Sequence, residues 1–424
     1  MRAPRPRHLL ARIPSCSPAG IITLAFVVGV VLAAPSRPAW FIPVDSAERG
    51  NGSAVSMAAQ PATGPMTSFA PQIPPPREII TPTPLATPVV AQDSPAANDG
   101  AEFITYTDPG EGTGANELGR IPVLMYHAFV FNEANTDEWT LTFDQFRAQL
   151  DWLVANDFTM VGLNSVIDRD FDVPAGRKPV VLTFDDASGG QFRLRGASDG
   201  GLDLHPDTAV AILEEYKAKY PAFAGPAFFA VLPNWCFIHP DDSDPSSCEE
   251  RLQWLVDNGY EVGNHTMDHQ DLTDVTIDEF KHQIVGPTEW FAERISGPNN
   301  LADVLVLPFG AYPHQDNFRA LLFDGFWLHG EYFVPTLVLE VWGGPTRSPF
   351  HLEWSTAISR YNTEPSVFWG WAETIESGDV ELFVSDGNAA IVTVPEGWES
   401  ALNQDRILED GRRIVIETSE EAED

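Results

Sequence analysis

Two adjacent carboxylates, Asp185 and Asp186, stand at the end of the apolar run Val180-Val181-Leu182-Thr183-Phe184, and two imidazoles follow later in Asn264-His265-Thr266-Met267-Asp268-His269. Carboxylates side by side repel unless a cation or a proton relieves them, so a strand that delivers its chain into such a pair is suited to holding a metal. Imidazoles at i and i+4 share one face when they sit on a helical turn. Asp186, His265 and His269 would make three protein ligands of the kind borderline divalent metals accept, with a position left open for water. Each signal alone has an ordinary reading. An acid after a strand also caps helices, and surface helices carry His pairs by chance. Together they point to a metal centre.

The elements that must position these groups alternate. Pro122 to Tyr126 is strand-like and ends at His127. Thr142-Phe143-Asp144-Gln145 reads as a capping box opening a helix with Phe143, Phe146, Leu150 and Leu153 on one face. Val180 to Phe184 is the next strand. Pro206 marks the first turn of a helix carrying Val210, Leu213 and Tyr216, and Phe228 to Leu232 is again strand. A helix around Leu252, Leu255 and Val256 stops at Asn258-Gly259, which suits a left-handed cap, and Thr276-Ile277-Asp278-Glu279 opens another. Such alternation predicts a parallel sheet with helices outside, in an open doubly wound sheet or a barrel. The long loop from Ala187 to His205 is expected to shape access to the strand ends. Beyond Val380, Glu381 to Val384 and Ala389 to Val394 flank Ser385-Asp386-Gly387-Asn388 and read as a hairpin, a small β tail before the acidic Glu420-Glu421-Ala422-Glu423-Asp424.

The chain of 424 residues suits one large domain with appendages. Arg2, Arg5, Arg7 and Arg12 precede an uncharged apolar run from Ala19 to Ala34, so residues 1–34 read as a cleavable signal peptide or an uncleaved membrane anchor. Either sends the protein to the extracellular side or the cell envelope. Residues 35–117, rich in Pro, Ala, Ser, Thr and Gly, read as a disordered tether. Residues 118–379 would then be the catalytic domain and 380–424 the β tail. Of three cysteines, Cys16 falls before or within the signal, which leaves Cys236 and Cys248 to form a disulfide in an oxidising compartment; a thiolate metal site is the weaker reading. With 25 basic and 61 acidic side chains the formal charge is −36, which makes nucleic acid and anionic membrane surfaces poor partners for the folded part.

Thr183-Phe184-Asp185-Asp186 followed by His265-Thr266 and His269 resembles the polysaccharide deacetylases, the NodB-type carbohydrate esterases of family 4, and the resemblance runs from Ile121 to Arg360. Ala227-Phe228-Phe229-Ala230-Val231, Gly259-Tyr260-Glu261-Val262-Gly263-Asn264 and Leu307-Pro308-Phe309-Gly310-Ala311-Tyr312 stand in the family's order. Pro122-Val123-Leu124-Met125-Tyr126-His127 resembles the circularly rearranged branch, that of the poly-N-acetylglucosamine deacetylases, where a His from an early strand is the general acid.

The resemblance implies a deformed parallel (β/α) barrel with its chemistry at the C-terminal strand ends, where His127 and the Asp pair fall. It also implies a divalent metal, zinc before cobalt or nickel, held by Asp186, His265 and His269. Asp185 is then the base for a water activated at the metal, and His127 the acid for the leaving nitrogen. The Phe309 backbone N–H would meet the oxyanion, and Pro308, Phe309 and Tyr312 would wall the acetyl pocket. His314, His329 and His351 compete for the acid role but match no motif. Where many members place an Arg two residues before the Pro, this chain has Val306-Leu307-Pro308; Arg360 is either a replacement cation or a surface ion pair. The expected activity is hydrolysis of N-acetyl groups of a glycan such as peptidoglycan, a chitin-like polymer or poly-N-acetylglucosamine. An O-acetyl polysaccharide esterase and a tethered, non-catalytic glycan-binding protein are the rival readings.

Overall fold

The computed structural model describes residues 104–107, 114–198, 200–238 and 244–418. The expected signal, most of the expected tether and the acidic end at Glu420–Asp424 lie outside the described residues. Among the described residues no helix is long and apolar enough to cross a membrane.

The apolar runs form parallel strands: β1 (Val123–Tyr126), β2 (Phe158–Met160), β3 (Lys178–Phe184), β4 (Phe228–Val231), β5 (Glu261–Asn264), β6 (Asn300–Val306), β7 (Leu337–Leu339), β8 (Ala357–Ile358) and β9 (Tyr361–Asn362). Their order in the sheet is β8-β7-β6-β5-β4-β3-β1-β9, with β2 also against β3. The two edge strands, β8 and β9, are separated in the chain only by Ser359 and Arg360. From Ile358 to Tyr361 the chain reaches at most about 11 Å, little more than two strand spacings. The edges must therefore approach each other, and the sheet curls into a deformed barrel rather than lying open.

Alternation along the strands decides which residues face the barrel axis. Leu124, Tyr126, Leu182, Phe184 and Phe229 pack outward against Phe146 and Leu150 of helix α1 (Phe143–Ala155), whose capping box pairs Thr142 with Gln145. The rings of Tyr126, Phe184 and Phe229 stack across three neighbouring strands at 5.2 and 4.8 Å. Val123, Val181, Phe228 and Ala230 belong to a separate inner cluster. The residue after each outward aromatic thus turns toward the axis: His127 after Tyr126, Asp185 after Phe184.

Helices α2 (Ala209–Lys219, capped by Thr208), α3 (Cys248–Asp257) and α4 (Ile277–Arg294) cover the outside. Pro206 lies before the cap rather than in the first turn. Helix α3 ends at Asn258, and Gly259 takes the left-handed conformation at φ 84°, as Asn258-Gly259 suggests. Cys236 and Cys248 are joined in a disulfide.

Two expectations need correction. The chain from 381 to 394 does not form a hairpin. Phe383 and Val384 bond instead to Arg120 and Asn116, and strand β10 (Ile391–Pro395) pairs in parallel with β11 (Arg413–Glu417), with helix α5 (Gln404–Glu409) between them. A helix between two strands returns the chain in the same direction, so the pairing is parallel. Nor does the tether extend to 117. Ile104–Thr107 adds a parallel strand to β11, and Ala115, Asn116 and Glu117 are buried against the C-terminal segment.

Candidate metal centre

Strand β3 delivers Asp185 and Asp186 to the C-terminal end of the barrel, and β5 delivers His265 beside them. Asp186 has φ 75° and the following Ala187 φ 50°, a left-handed turn that bulky residues adopt only when their surroundings hold them there. The two imidazoles are not on a helix, contrary to the reading of their spacing. Thr266 and His269 both take left-handed φ, 68° and 54°. The turn is fixed from outside: Asn264 Oδ1 accepts from Thr266 N at 2.7 Å, and Gln283 Oε1 from α4 accepts from Asp268 N at 3.0 Å. A register shift between Gly263 and Asn264 re-aims the end of β5. A Cβ on Gly263 would lie 2.6 Å from the Phe228 ring and 2.8 Å from the Leu301 carbonyl, so only glycine fits there.

The outcome is convergence. Asp186, His265 and His269 each present one ligand atom, all within 4.8 Å of one another. His265 Nε2 lies 3.1 Å and His269 Nε2 3.3 Å from the same oxygen, Asp186 Oδ1. His265 Nδ1 lies 3.1 Å from the Val306 carbonyl, which can only accept, so Nδ1 carries a proton and Nε2 is the nitrogen turned to Asp186. With a metal between them Nε2 would ligate through its lone pair, and without one a proton on Nε2 makes the bond to Asp186. The donor set fits a divalent metal.

The charges follow the same logic. Burial would raise the Asp186 carboxyl, but the His265 hydrogen bond and the three nearby imidazoles hold it well below the usual carboxylate range. Burial, with His265 beside it, pushes His269 down to about 4, so it is neutral and a competent ligand at neutral pH. Burial also lowers His265, but the Asp186 bond and the Asp185 charge outweigh this and raise it.

Asp185 is 2 % exposed and does not share the metal cluster. Its carboxylate is held by Arg360 in a two-pronged contact, NH1 to Oδ1 and NH2 to Oδ2, each 2.8 Å. The guanidinium is 1 % exposed and also donates to Thr183 Oγ1 and the Glu340 carbonyl. The surface-pair reading of Arg360 is thereby overturned: closure of the barrel between β8 and β9 carries it to the axis. Burial raises the Asp185 carboxyl, yet the Arg360 charge and hydrogen bonds bring it below its ordinary value.

His127 Nε2 lies 3.9 Å from Asp185 Oδ2. Its ring packs edge-on against Trp139 at 4.8 Å. Burial lowers its pKa, opposed by Asp186 and Asp185. Gln191 Nε2 donates to the carbonyls of both His127 and Asp185 and ties the two strand ends together. The other histidines are elsewhere: His314 and His329 are exposed beside Asp274 and Glu289, and His351 lies beside Arg347.

Of the expected acetyl-pocket residues, Phe309 reaches the centre. Its ring stands 4.6 Å from that of His269, 55 % exposed, on a backbone at φ 58°. Pro308 is buried beside it. Tyr312 turns to Glu340, bonding Oε1 at 2.7 Å. Trp139, Gln191, Asn264 and Gln283 were not singled out from the sequence, and only Asn264 carried a signal, its place in the quoted motif.

Residues 172–321 match the family model for polysaccharide deacetylase. The chain carries a polysaccharide deacetylase domain. This domain belongs to hydrolases acting on carbon–nitrogen bonds other than peptide bonds. Among solved structures, a Bacillus anthracis protein named as a polysaccharide deacetylase is 19 % identical, with 60 % of this chain and 69 % of that one covered and a TM-score of 0.43. A polysaccharide deacetylase from Bacillus cereus is 18 % identical, with 60 % and 69 % covered and a TM-score of 0.42. A Streptococcus pyogenes deacetylase in complex with acetate is 18 % identical, with 57 % and 91 % covered and a TM-score of 0.40.

Proposed function

We propose that the protein is an exported, metal-dependent deacetylase that hydrolyses N-acetyl groups of a cell-envelope or extracellular glycan. The observation that carries this reading is the adjacency of two differently wired carboxylates: Asp186 converging with the ligand atoms of two imidazoles, and Asp185 in the fork of a buried arginine. Asp186, His265 and His269 would hold a divalent metal, zinc by preference, which when bound supplies Lewis acidity that lowers the pKa of a water towards roughly 7 and polarises a carbonyl.

Asp185, kept ionised by Arg360, accepts a proton from the attacking water. His127 delivers a proton to the departing nitrogen. The 3.9 Å between His127 Nε2 and Asp185 Oδ2 gives that proton a short path between the two. Phe309, whose ring stands beside His269, would wall the acetyl group, and its backbone N–H would meet the developing oxyanion. Where Val306-Leu307 before Pro308 offers no Arg, Arg360 supplies a cation to the base from the link between β8 and β9.

The test is acetate release from N-acetylglucosamine oligomers by the intact chain, stripped of metal and reloaded with zinc. Release that returns with zinc and is absent in Asp186→Ala is expected. Release only from O-acetylated polymers would replace the amide reading with the ester one, and no release from either would overturn the enzyme reading.

A further inference from the structure

A cavity of about 600 Å³ opens on the far side of Trp139 from His127. Asp137, Glu138, Glu364, Gln145, Asn362 and Trp342 line it. Its place follows from the fold: Asn362 ends β9, which runs parallel to β1 and pairs with Met125, two residues before His127. Trp139 joins the two regions, its ring 4.8 Å from that of His127 and 6.2 Å from that of Trp342. A volume of this size is in the range of small-ligand sites.

The walls define a chemistry. Trp342 offers a broad apolar face that is 59 % exposed, and an indole face attracts both the C–H face of a sugar ring and a cation lying over it. Three carboxylates stand around it, no lysine or arginine lines the cavity, and none of the three is ion-paired among the described residues. Their local hydrogen bonds aim them: Glu138 Oε1 accepts from Trp139 Nε1 at 3.0 Å, Asp137 Oδ1 from Trp139 N at 2.9 Å, and Glu364 Oε2 from Val367 N at 3.2 Å. Each carboxylate keeps a second oxygen for a ligand.

We infer that this cavity is a subsite for a hexosamine unit bearing a free, protonated amine, that is, a unit already deacetylated, lying in the same glycan chain as the unit at the metal centre. The inference rests on the deacetylase reading, whose product is such an amine. An N-acetylated unit would leave the carboxylates without a cation, whereas an ammonium satisfies them and lies over the Trp342 face. The domain would thus favour partly deacetylated chains and extend existing deacetylated stretches.

The test is binding of glucosamine oligomers and N-acetylglucosamine oligomers of equal length to the intact, zinc-loaded chain by calorimetry at low salt, with acetate release followed in parallel. The glucosamine oligomer is expected to bind about tenfold more tightly. The preference is expected to vanish in Asp137→Asn/Glu138→Gln, whose amide oxygens still accept the Trp139 bonds and so spare the local fold. Trp342→Ala is expected to weaken both ligands. Equal binding of the two oligomers by the wild-type chain, or a preference that survives the double substitution, overturns the subsite even when acetate release is intact. An amine preference that disappears in the double substitution supports the subsite even when no acetate is released, and the deacetylase reading then fails alone.

Discussion

Arg360 grips Asp185 through two parallel hydrogen bonds of 2.8 Å at the seam where the barrel closes. His127 also lies 3.9 Å from Asp185, but Arg360 is the group that holds both carboxylate oxygens, and the same guanidinium donates to Thr183 and the Glu340 carbonyl. The pair is buried, so each member depends on the other for its charge. Removing one partner of a buried pair costs far more than the pair contributes over an apolar replacement.

Arg360→Met is therefore expected to lower stability by about 3 kcal/mol and kcat by roughly 100-fold or more, in the range of a lost acid–base contribution. The sign on pH is fixed by the direction of the shift. Arg360 holds the Asp185 carboxyl below its ordinary value against burial, which raises it. Without Arg360 burial is opposed only by the nearby His265 and His127, and the acid limb of the kcat/KM profile moves to higher pH. Arg360→Lys is expected to restore the charge but not the fork, recovering stability before rate. A pH–rate profile unchanged in Arg360→Met would sink the positioning role.

Metal removal is the second test. A ligand that binds the folded state alone stabilises it, by about 4 kcal/mol at a thousandfold excess over Kd. Zinc is expected to raise the melting temperature of the wild-type chain and to leave Asp186→Asn and His269→Gln unmoved. A zinc-induced rise of equal size in Asp186→Asn would place the metal elsewhere.

How far these groups were legible in the sequence depends on whether their signal is local. The strand entering Asp185-Asp186, the capping boxes at Thr142 and Thr276 and the stop at Asn258-Gly259 are all written in a few consecutive residues. The His265 and His269 pair was legible as a pair but not in its geometry, because Gln283 on a later helix sets the left-handed turn between them. Arg360 was legible only as a candidate. Strands of two residues on either side of it give no periodicity, and its role exists only once the sheet closes. The C-terminal pairing failed for a similar reason: Phe383 and Val384 look like one arm of a hairpin, but their backbone groups are already bonded to the segment from Asn116 to Arg120.

The segment from Asn234 to Phe237, tied down by the Cys236–Cys248 disulfide, braces the metal turn from the side. Phe237 N donates to the Ala187 carbonyl at 2.6 Å, one residue past Asp186, and Asn234 Nδ2 donates to Asp268 Oδ1 at 2.8 Å, one residue before His269. The buried Arg251 guanidinium holds the Cys236 carbonyl at 2.8 Å from within. Cys236→Ala/Cys248→Ala is expected to cost about 2–4 kcal/mol of stability and also to weaken zinc binding at a temperature where the variant remains folded. Unchanged zinc affinity in the folded double variant would reduce the disulfide to a purely global staple.

Glu117 gives the domain a pH dependence away from the metal. It is 5 % exposed, accepts from Thr393 N at 3.0 Å, and lies near Asp386. Burial, followed by the Asp386 charge, pushes its carboxyl up from 4.5 to about 8. The folded state thus keeps a proton that the unfolded chain releases. Where the unfolded state binds fewer protons, stability falls as pH rises. This contribution is fully present below about 4.5 and is lost as the pH climbs towards about 8. The C-terminal segment is expected to loosen first, because Glu117 joins the start of the barrel to β10 through Thr393. Glu117→Gln removes the titration and keeps one acceptor oxygen, so urea midpoints measured at pH 5 and pH 8 are expected to differ less in the variant than in the wild type. If the two proteins lose stability in parallel over that interval, the proton is held by another group.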